Sequence, residues 1–254
     1  MKKMRKLLCV FLAAVLLSGS FALCAAAAKR PTYLLLGDSI AYGAGLTNPR
    51  QACYGRIVAN TNNYNYINDA VSGTTSALLL SSLKDDLIIK DVKSADIITI
   101  STGGNDFLTK NWVAMGLRGM ATGNWKSLDP IAKTYKSNLT SIIKTIKKYN
   151  SKATVIVQTV YNPHTDKFEE AFQQGVDRIN SAIKAVKKAT GGFVIADVGK
   201  VISGHSEYIA VDTIHPNADG NTAIAKYMLK FLKDLGLGTK TTPVITVKPK
   251  SILK

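Results

Sequence analysis

The sequence predicts an α/β fold, a three-layer α/β/α sandwich around a five-stranded parallel sheet in the flavodoxin-like order 2-1-3-4-5. Three observations carry this. Short aliphatic or β-branched runs alternate with longer segments of helical period. The chain has 254 residues, 46% of them hydrophobic, which supplies one full core. Polar, glycine-bearing motifs follow the first three strand candidates directly, as expected where the carboxyl ends of parallel strands share one edge.

Strands are expected at 33–36, 64–68, 96–101, 153–159 and 193–197, and helices at 51–60, 75–90, 128–149, 168–190 and 218–235. In the order 2-1-3-4-5, strand 1 lies between strands 2 and 3, so the loops after these three strands are neighbours. Two segments break the rhythm. Residues 109–127, TKNWVAMGLRGMATGNWKS, hold both tryptophans and read as an insertion above the sheet. Residues 238–254 form a basic tail with two prolines, expected to be flexible or loosely docked.

The chain begins with Lys2, Lys3, Arg5 and Lys6, an apolar run over 7–17, and small residues over 25–28, the layout of a secretory signal peptide. Cleavage after Ala28 would leave a domain over 29–237 and the tail, with the formal charge falling from +16 to +12. A secreted or extracytoplasmic location follows. An uncleaved membrane anchor is the alternative, since 7–28 carries no charge and nearly spans a bilayer. Leu23 before Cys24 argues against lipidation, which needs a small residue there.

The remaining charge favours anionic surfaces, with the cell envelope as a candidate partner, and implies nothing about fold. Gly and Pro are too few for a collagenous or low-complexity chain, and the aliphatic content is too high for disorder. With Cys9 and Cys24 in the leader, Cys53 cannot form an internal bridge and reads as a buried small hydrophobe in a helical stretch. The sequence contains no paired-cysteine or HExxH metal spacing and no phosphate-binding GxxxxGK[ST] loop, so neither metal nor cofactor is expected. Nucleic acid is not an expected partner.

The chemistry-bearing residues lie in four short blocks: Gly37-Asp38-Ser39-Ile40, Ser72-Gly73-Thr74-Thr75, Gly103-Gly104-Asn105-Asp106 and Asp212-Thr213-Ile214-His215-Pro216. Singly, each has an ordinary reading. Gly-Asp-Ser is common in turns, Gly73 can be a turn glycine, Asn105 a helix cap and His215 a loop histidine. His164 reads as an exposed loop residue, and His205 has no aspartate three residues before it. Asp38 and Asp106 are expected to hold their loops by hydrogen bonds. Asn138-Leu139-Thr140 matches a glycosylation sequon but lies in an expected helix.

In this order and at these intervals, the blocks GDSI, SGTTS, GGND and DTIHP resemble the signatures of the SGNH (GDSL-type) esterase and lipase family, across 33 to about 235. The resemblance implies Ser39 as nucleophile, His215 as base, Asp212 as its orienter, and Ser39, Gly73 and Asn105 as oxyanion donors. Ile40 stands where the family usually has leucine. The expected activity is hydrolysis of carboxylic esters through a serine acyl-enzyme, without cofactor. The substrate would be a small-molecule or polymer-linked ester, either a lipid acyl ester or an acyl group on polysaccharide. Acyl transfer from the same site, or a non-catalytic cell-envelope binding module, are the alternatives.

Elementary chemistry agrees with these roles. A serine hydroxyl needs a base, the base needs a group that fixes its tautomer, and the oxyanion needs donors already aimed at it. Within the insertion, Trp112, Met115, Leu117, Met120 and Trp125 could share a helical face. That face would either complete the core or form the wall of an acyl pocket, with Gly116, Gly119 and Gly123 permitting movement.

Overall fold

A computed structural model describes residues 29–108 and 111–252, and residues 31–254 cluster as one compact unit. The expected leader over 1–28 lies outside the described residues. The strands are β1 (Thr32–Gly37), β2 (Asn65–Asn68), β3 (Ile97–Ser101), β4 (Thr154–Gln158) and β5 (Val194–Ala196). All neighbouring strands pair in parallel and the order is β2-β1-β3-β4-β5, as the sequence predicts.

Helices connect them in chain order. Between β1 and β2 lie α1 (Ser39–Tyr42), α2 (Pro49–Ala52) and α3 (Tyr54–Asn62). Between β2 and β3 lie α4 (Ser76–Ser82) and α5 (Asp86–Ser94). After β3 come α6 (Gly104–Leu108), α7 (Trp112–Thr122) and α8 (Asp129–Tyr149); α9 (Glu169–Thr190) joins β4 to β5, and α10 (Gly199–Ile202) and α11 (Ala218–Asp234) follow.

Period-two alternation divides the sheet's apolar side chains between two cores. Leu34, Leu36, Ile98, Ile100 and Val157 pack with α8 and α9 through residues such as Ile142 and Ile183. Tyr33, Leu35, Ile97 and Ile156 pack on the other side with α3 and α11 through Ile57, Val58 and Met228. The long helices are charged to suit their dipoles: α9 opens on Glu169 and Glu170 and closes on Lys187 and Lys188. The register aligns Gly37 of β1 with Ser101 of β3, so the first and third motifs leave the sheet side by side.

Three expectations need correction. The helix expected over 51–60 is two helices, and Cys53 stands at their junction with extended backbone. It is buried, as expected, with its thiol 3.2 Å from the Tyr66 hydroxyl. The helix expected over 75–90 also breaks, because Asp85 caps a new start by accepting from the Leu87 and Ile88 amides. The tail is seated rather than loose. Thr47 N donates to Lys250 O (2.9 Å), Ile252 N to Gly45 O (3.0 Å), and Val244 N to Thr61 Oγ1 (2.8 Å), while Val247 packs against the cluster of Leu46, Ala52 and Cys53.

Candidate active site

The chain leaves β1 through Gly37, where φ is +122° and a Cβ would lie 1.8 Å from the Ser101 carbonyl oxygen. Only glycine fits that crossing. Asp38 follows, buried, and caps α1: its carboxylate accepts from Ile40 N (3.0 Å) and Ser101 Oγ (2.7 Å). Burial pushes its pKa up to about 6, against the lowering effect of those two bonds. Ser39 is thereby fixed as the first residue of α1, at the sheet's carboxyl edge.

The next two loops are tied together. Asn105 Nδ2 donates to Thr74 O (3.1 Å), and Asp106 accepts from the backbone and hydroxyl of Ser76, whose oxygen also accepts from Asn138 Nδ2 (2.9 Å). Burial raises the Asp106 pKa in spite of these bonds. Asp38 and Asp106 therefore hold loops together, as their sequence reading expects. Gly73 has φ +83° with open space where a Cβ would stand, so its backbone conformation rather than crowding favours glycine.

His215 and Asp212 form a compact unit. One carboxylate oxygen of Asp212 accepts from Ile214 N (3.0 Å) and His215 N (2.9 Å), and the other lies 2.7 Å from His215 Nδ1. Partial burial would raise the Asp212 pKa, but the His215 backbone bond, then its side-chain bond, outweigh it and hold the carboxyl below its ordinary value. An ionised Asp212 fixes the proton on Nδ1 and leaves Nε2 as the acceptor. Tyr161 Oη donates to Ile214 O (2.7 Å), and Asn221 Nδ2 to Pro216 O (2.9 Å), bracing the loop from both sides.

Ser39, Gly73, Asn105 and His215 line one cavity of about 290 Å³, with Asp212 behind the imidazole. No hydrogen bond joins Ser39 to His215 among the described residues. Catalytic hydrogen bonds commonly tighten only with substrate present. The cavity's other walls are largely apolar and include Phe107, Trp112, Trp125, Leu128, Phe172 and Ile179.

The sequence model of the family described as GDSL-like lipase/acylhydrolase matches residues 35–223. The chain belongs to that family. It is a carboxylic ester hydrolase of the GDSL type, as the sequence resemblance implies. It is 31% identical to the Bacillus subtilis protein YpmR over 178 residues, 67% of each chain. It is also 26% identical to the spore germination lipase LipC of Bacillus licheniformis, over 76% of this chain and 92% of that one. The fold is shared with the lipase Lip_vut3 from a goat rumen metagenome, at a TM-score of 0.67 and 23% identity, covering 82% of this chain and 99% of the other.

In this GDSL hydrolase the insertion is a wall of the cavity. α7 lies against α9, with Gly116 facing Ala171 and the Trp112 ring edge-on to Phe172, centroids 5.1 Å apart. Gly119 serves packing, because a Cβ there would collide with the Trp125 ring. Leu117 does not share the inner face with Trp112; together with Val113 it points to solvent.

His164 also departs from expectation. Its side chain is only 11% exposed, its ring tilted against Phe172 with centroids 4.2 Å apart and Nδ1 3.2 Å from Asp166. His205 is exposed and pairs with Glu207 at 2.8 Å. The site includes groups the sequence reading did not single out. Gln158, Thr159 and Tyr161 line the cavity from the end of β4, and Phe172 and Val176 from α9. The strand-end rule that located Ser39 and Asn105 applies equally to Gln158 and Thr159.

Proposed function

We propose that the chain is an exported serine esterase of lipid acyl esters, freed of residues 1–28, and that Ser39, His215 and Asp212 carry the chemistry. The observation that supports it best is the convergence of Ser39, Gly73, Asn105 and His215 on one apolar-walled cavity, with Asp212 2.7 Å from His215 Nδ1. As Ser39 Oγ bonds to the ester carbonyl carbon, its proton passes to His215 Nε2 and the carbonyl electrons move onto oxygen. The Ser39 and Gly73 amides and the Asn105 side-chain amide receive that oxyanion. Collapse breaks the bond to the alcohol oxygen, which takes the proton from His215. Water, deprotonated by the same nitrogen, then releases the acid and restores Ser39.

The walls favour a lipid acyl chain over an acetyl group on polysaccharide. Each methylene buried against Phe107, Trp112, Leu128 or Ile179 contributes about 0.8 kcal/mol, which an acetyl group forgoes. The similar LipC is named a spore germination lipase, which agrees with this reading. A nitrophenyl ester series from acetate to dodecanoate tests both parts. kcat/KM should rise with chain length until the cavity is filled. Ser39→Ala should lower kcat by about 10⁴ or more while its circular dichroism matches wild type. A Ser39→Ala enzyme keeping a tenth of the rate removes Ser39 from its role. A profile that peaks at acetate removes the lipid reading.

A further inference from the structure

Ten large apolar side chains are exposed among the described residues, and four of them adjoin the cavity's own segments. Val71 precedes Ser72 and Gly73, Val113 and Leu117 follow Trp112 and Gly116 on α7, and Val211 precedes Asp212. Each is between 43% and 58% exposed. They come from three segments far apart in sequence, each next to residues of the candidate site. Val113 and Leu117 are one turn apart on α7, and exposed aliphatic groups side by side next to an apolar cavity mark a surface that something covers.

α7 is the most telling element, because it is apolar on both sides. Trp112 and Gly116 face the cavity while Val113 and Leu117 face solvent. Residues 111–128 contain Arg118 and Lys126 and no acidic residue. An apolar helix face flanked by basic side chains is the pattern of segments that lie in the headgroup region of anionic lipid. The chain's excess of lysine and arginine adds attraction of the same sign. The start of α9 differs, with Asp166, Glu169 and Glu170 exposed there, so that part of the surface would stay away from an anionic layer.

We propose that the opening, led by the outer face of α7, docks on an anionic lipid surface. An acyl chain would then pass from the lipid into the cavity along a path that is apolar on both faces of α7. The idea rests on the lipid-ester reading of the site but concerns a different surface, so the two can fail separately.

The test uses Ser39→Ala protein, which cannot hydrolyse the lipid, in flotation assays with equimolar phosphatidylglycerol–phosphatidylcholine vesicles and with phosphatidylcholine alone. All proteins are prepared in the same processed form. The anionic vesicles should be bound and the zwitterionic ones bound more weakly. V113S/L117S should weaken binding about tenfold and Arg118→Glu about fivefold. With Ser39 intact, the same variants should hydrolyse soluble nitrophenyl butyrate within about twofold of wild type, since none of the three residues lines the cavity. Three results would overturn the proposal: no vesicle binding, equal binding by V113S/L117S, or loss of a dimer by that variant with vesicle binding intact. Failure of the lipid-ester reading would appear instead as an acetate-peaked profile with vesicle binding retained.

Discussion

The turn that carries Ser39 and the loop that carries His215 are held by different means. At Ser39 the constraints are buried and immediate: the Gly37 crossing over Ser101, and the Asp38 carboxylate bonded to Ile40 N and Ser101 Oγ. At His215 the nearest partner is also local, Asp212, but the loop's position depends on distant segments. Tyr161 holds Ile214, and Gly45, itself bonded to Ile252 of the tail, lies against Pro216 and His215, while Asn221, only five residues further on, holds Pro216 by a buried bond. The proposed nucleophile is thus set by the sheet, whereas the proposed base is set by the surface wrapped around it. Apart from Ser39 itself, substitutions at the turn should act through the core, and those at the loop through the rate.

Outside Ser39 itself, the largest effect should come from the loop. Asp212→Asn keeps the size of the side chain but removes the charge that fixes the His215 proton on Nδ1, and kcat should fall by about 10⁴. The melting temperature should stay close to wild type, since the pair is partly exposed. A variant with near-normal kcat would show that His215 is oriented by its backbone neighbours alone.

Asn105→Ala comes next. Its amide should serve the oxyanion while its other hydrogen bonds Thr74 O, so kcat should drop by about 10² to 10³ with KM little changed. A raised KM at constant kcat would place Asn105 in ground-state binding instead.

The contrast also decides what could be read in advance. The motifs at the ends of β1, β2 and β3 were legible because a parallel sheet gathers such ends and the chemistry demands particular residue types there. α8, α9 and α11 begin and end within one residue of their expected bounds, since apolar period and terminal charge agree. The breaks at Cys53 and at Leu83-Lys84-Asp85 were hidden because the apolar period runs on while capping interrupts the backbone. The seating of the tail was hidden for another reason. Thr47 with Lys250, and Gly45 with Ile252, meet through main-chain groups that every residue carries. His164 looked exposed because its neighbours are polar in sequence, yet Phe172 covers it from α9.

A smaller effect, on stability rather than rate, should come from the buried turn. The Asp38 pKa is raised to about 6 from an ordinary value near 3.8, so between these pH values the native state binds a proton that the unfolded chain has released. Stability therefore falls as pH rises through that window, by the linkage of proton binding to unfolding. Asn in place of Asp38 can still accept both hydrogen bonds without a buried charge. Asp38→Asn should thus gain melting temperature over wild type above pH 6 and lose that advantage near pH 4. An advantage independent of pH would show that the Asp38 carboxyl is not the group being titrated.

Deleting residues 238–254 should change the rate less than Asp212→Asn or Asn105→Ala. This removes the Lys250 and Ile252 bonds to Thr47 and Gly45, and the Ser251 hydroxyl that Ala218 N donates to at the start of α11. Gly45 then has one fewer constraint where it abuts Pro216 and His215, while Gly37, Asp38 and Ser101 keep every partner. kcat on a soluble ester should fall by about tenfold, because a base displaced by a fraction of an ångström transfers its proton less well. Melting temperature should drop by several degrees as the packing of Val247 is lost. Burst-phase acylation should slow in step with steady-state turnover, since in the proposed mechanism one imidazole serves both half-reactions. If the deletion lowers stability and leaves both rates intact, the His215 loop is held by Tyr161 and Asn221 alone, and the two halves of the site are more alike than their surroundings suggest.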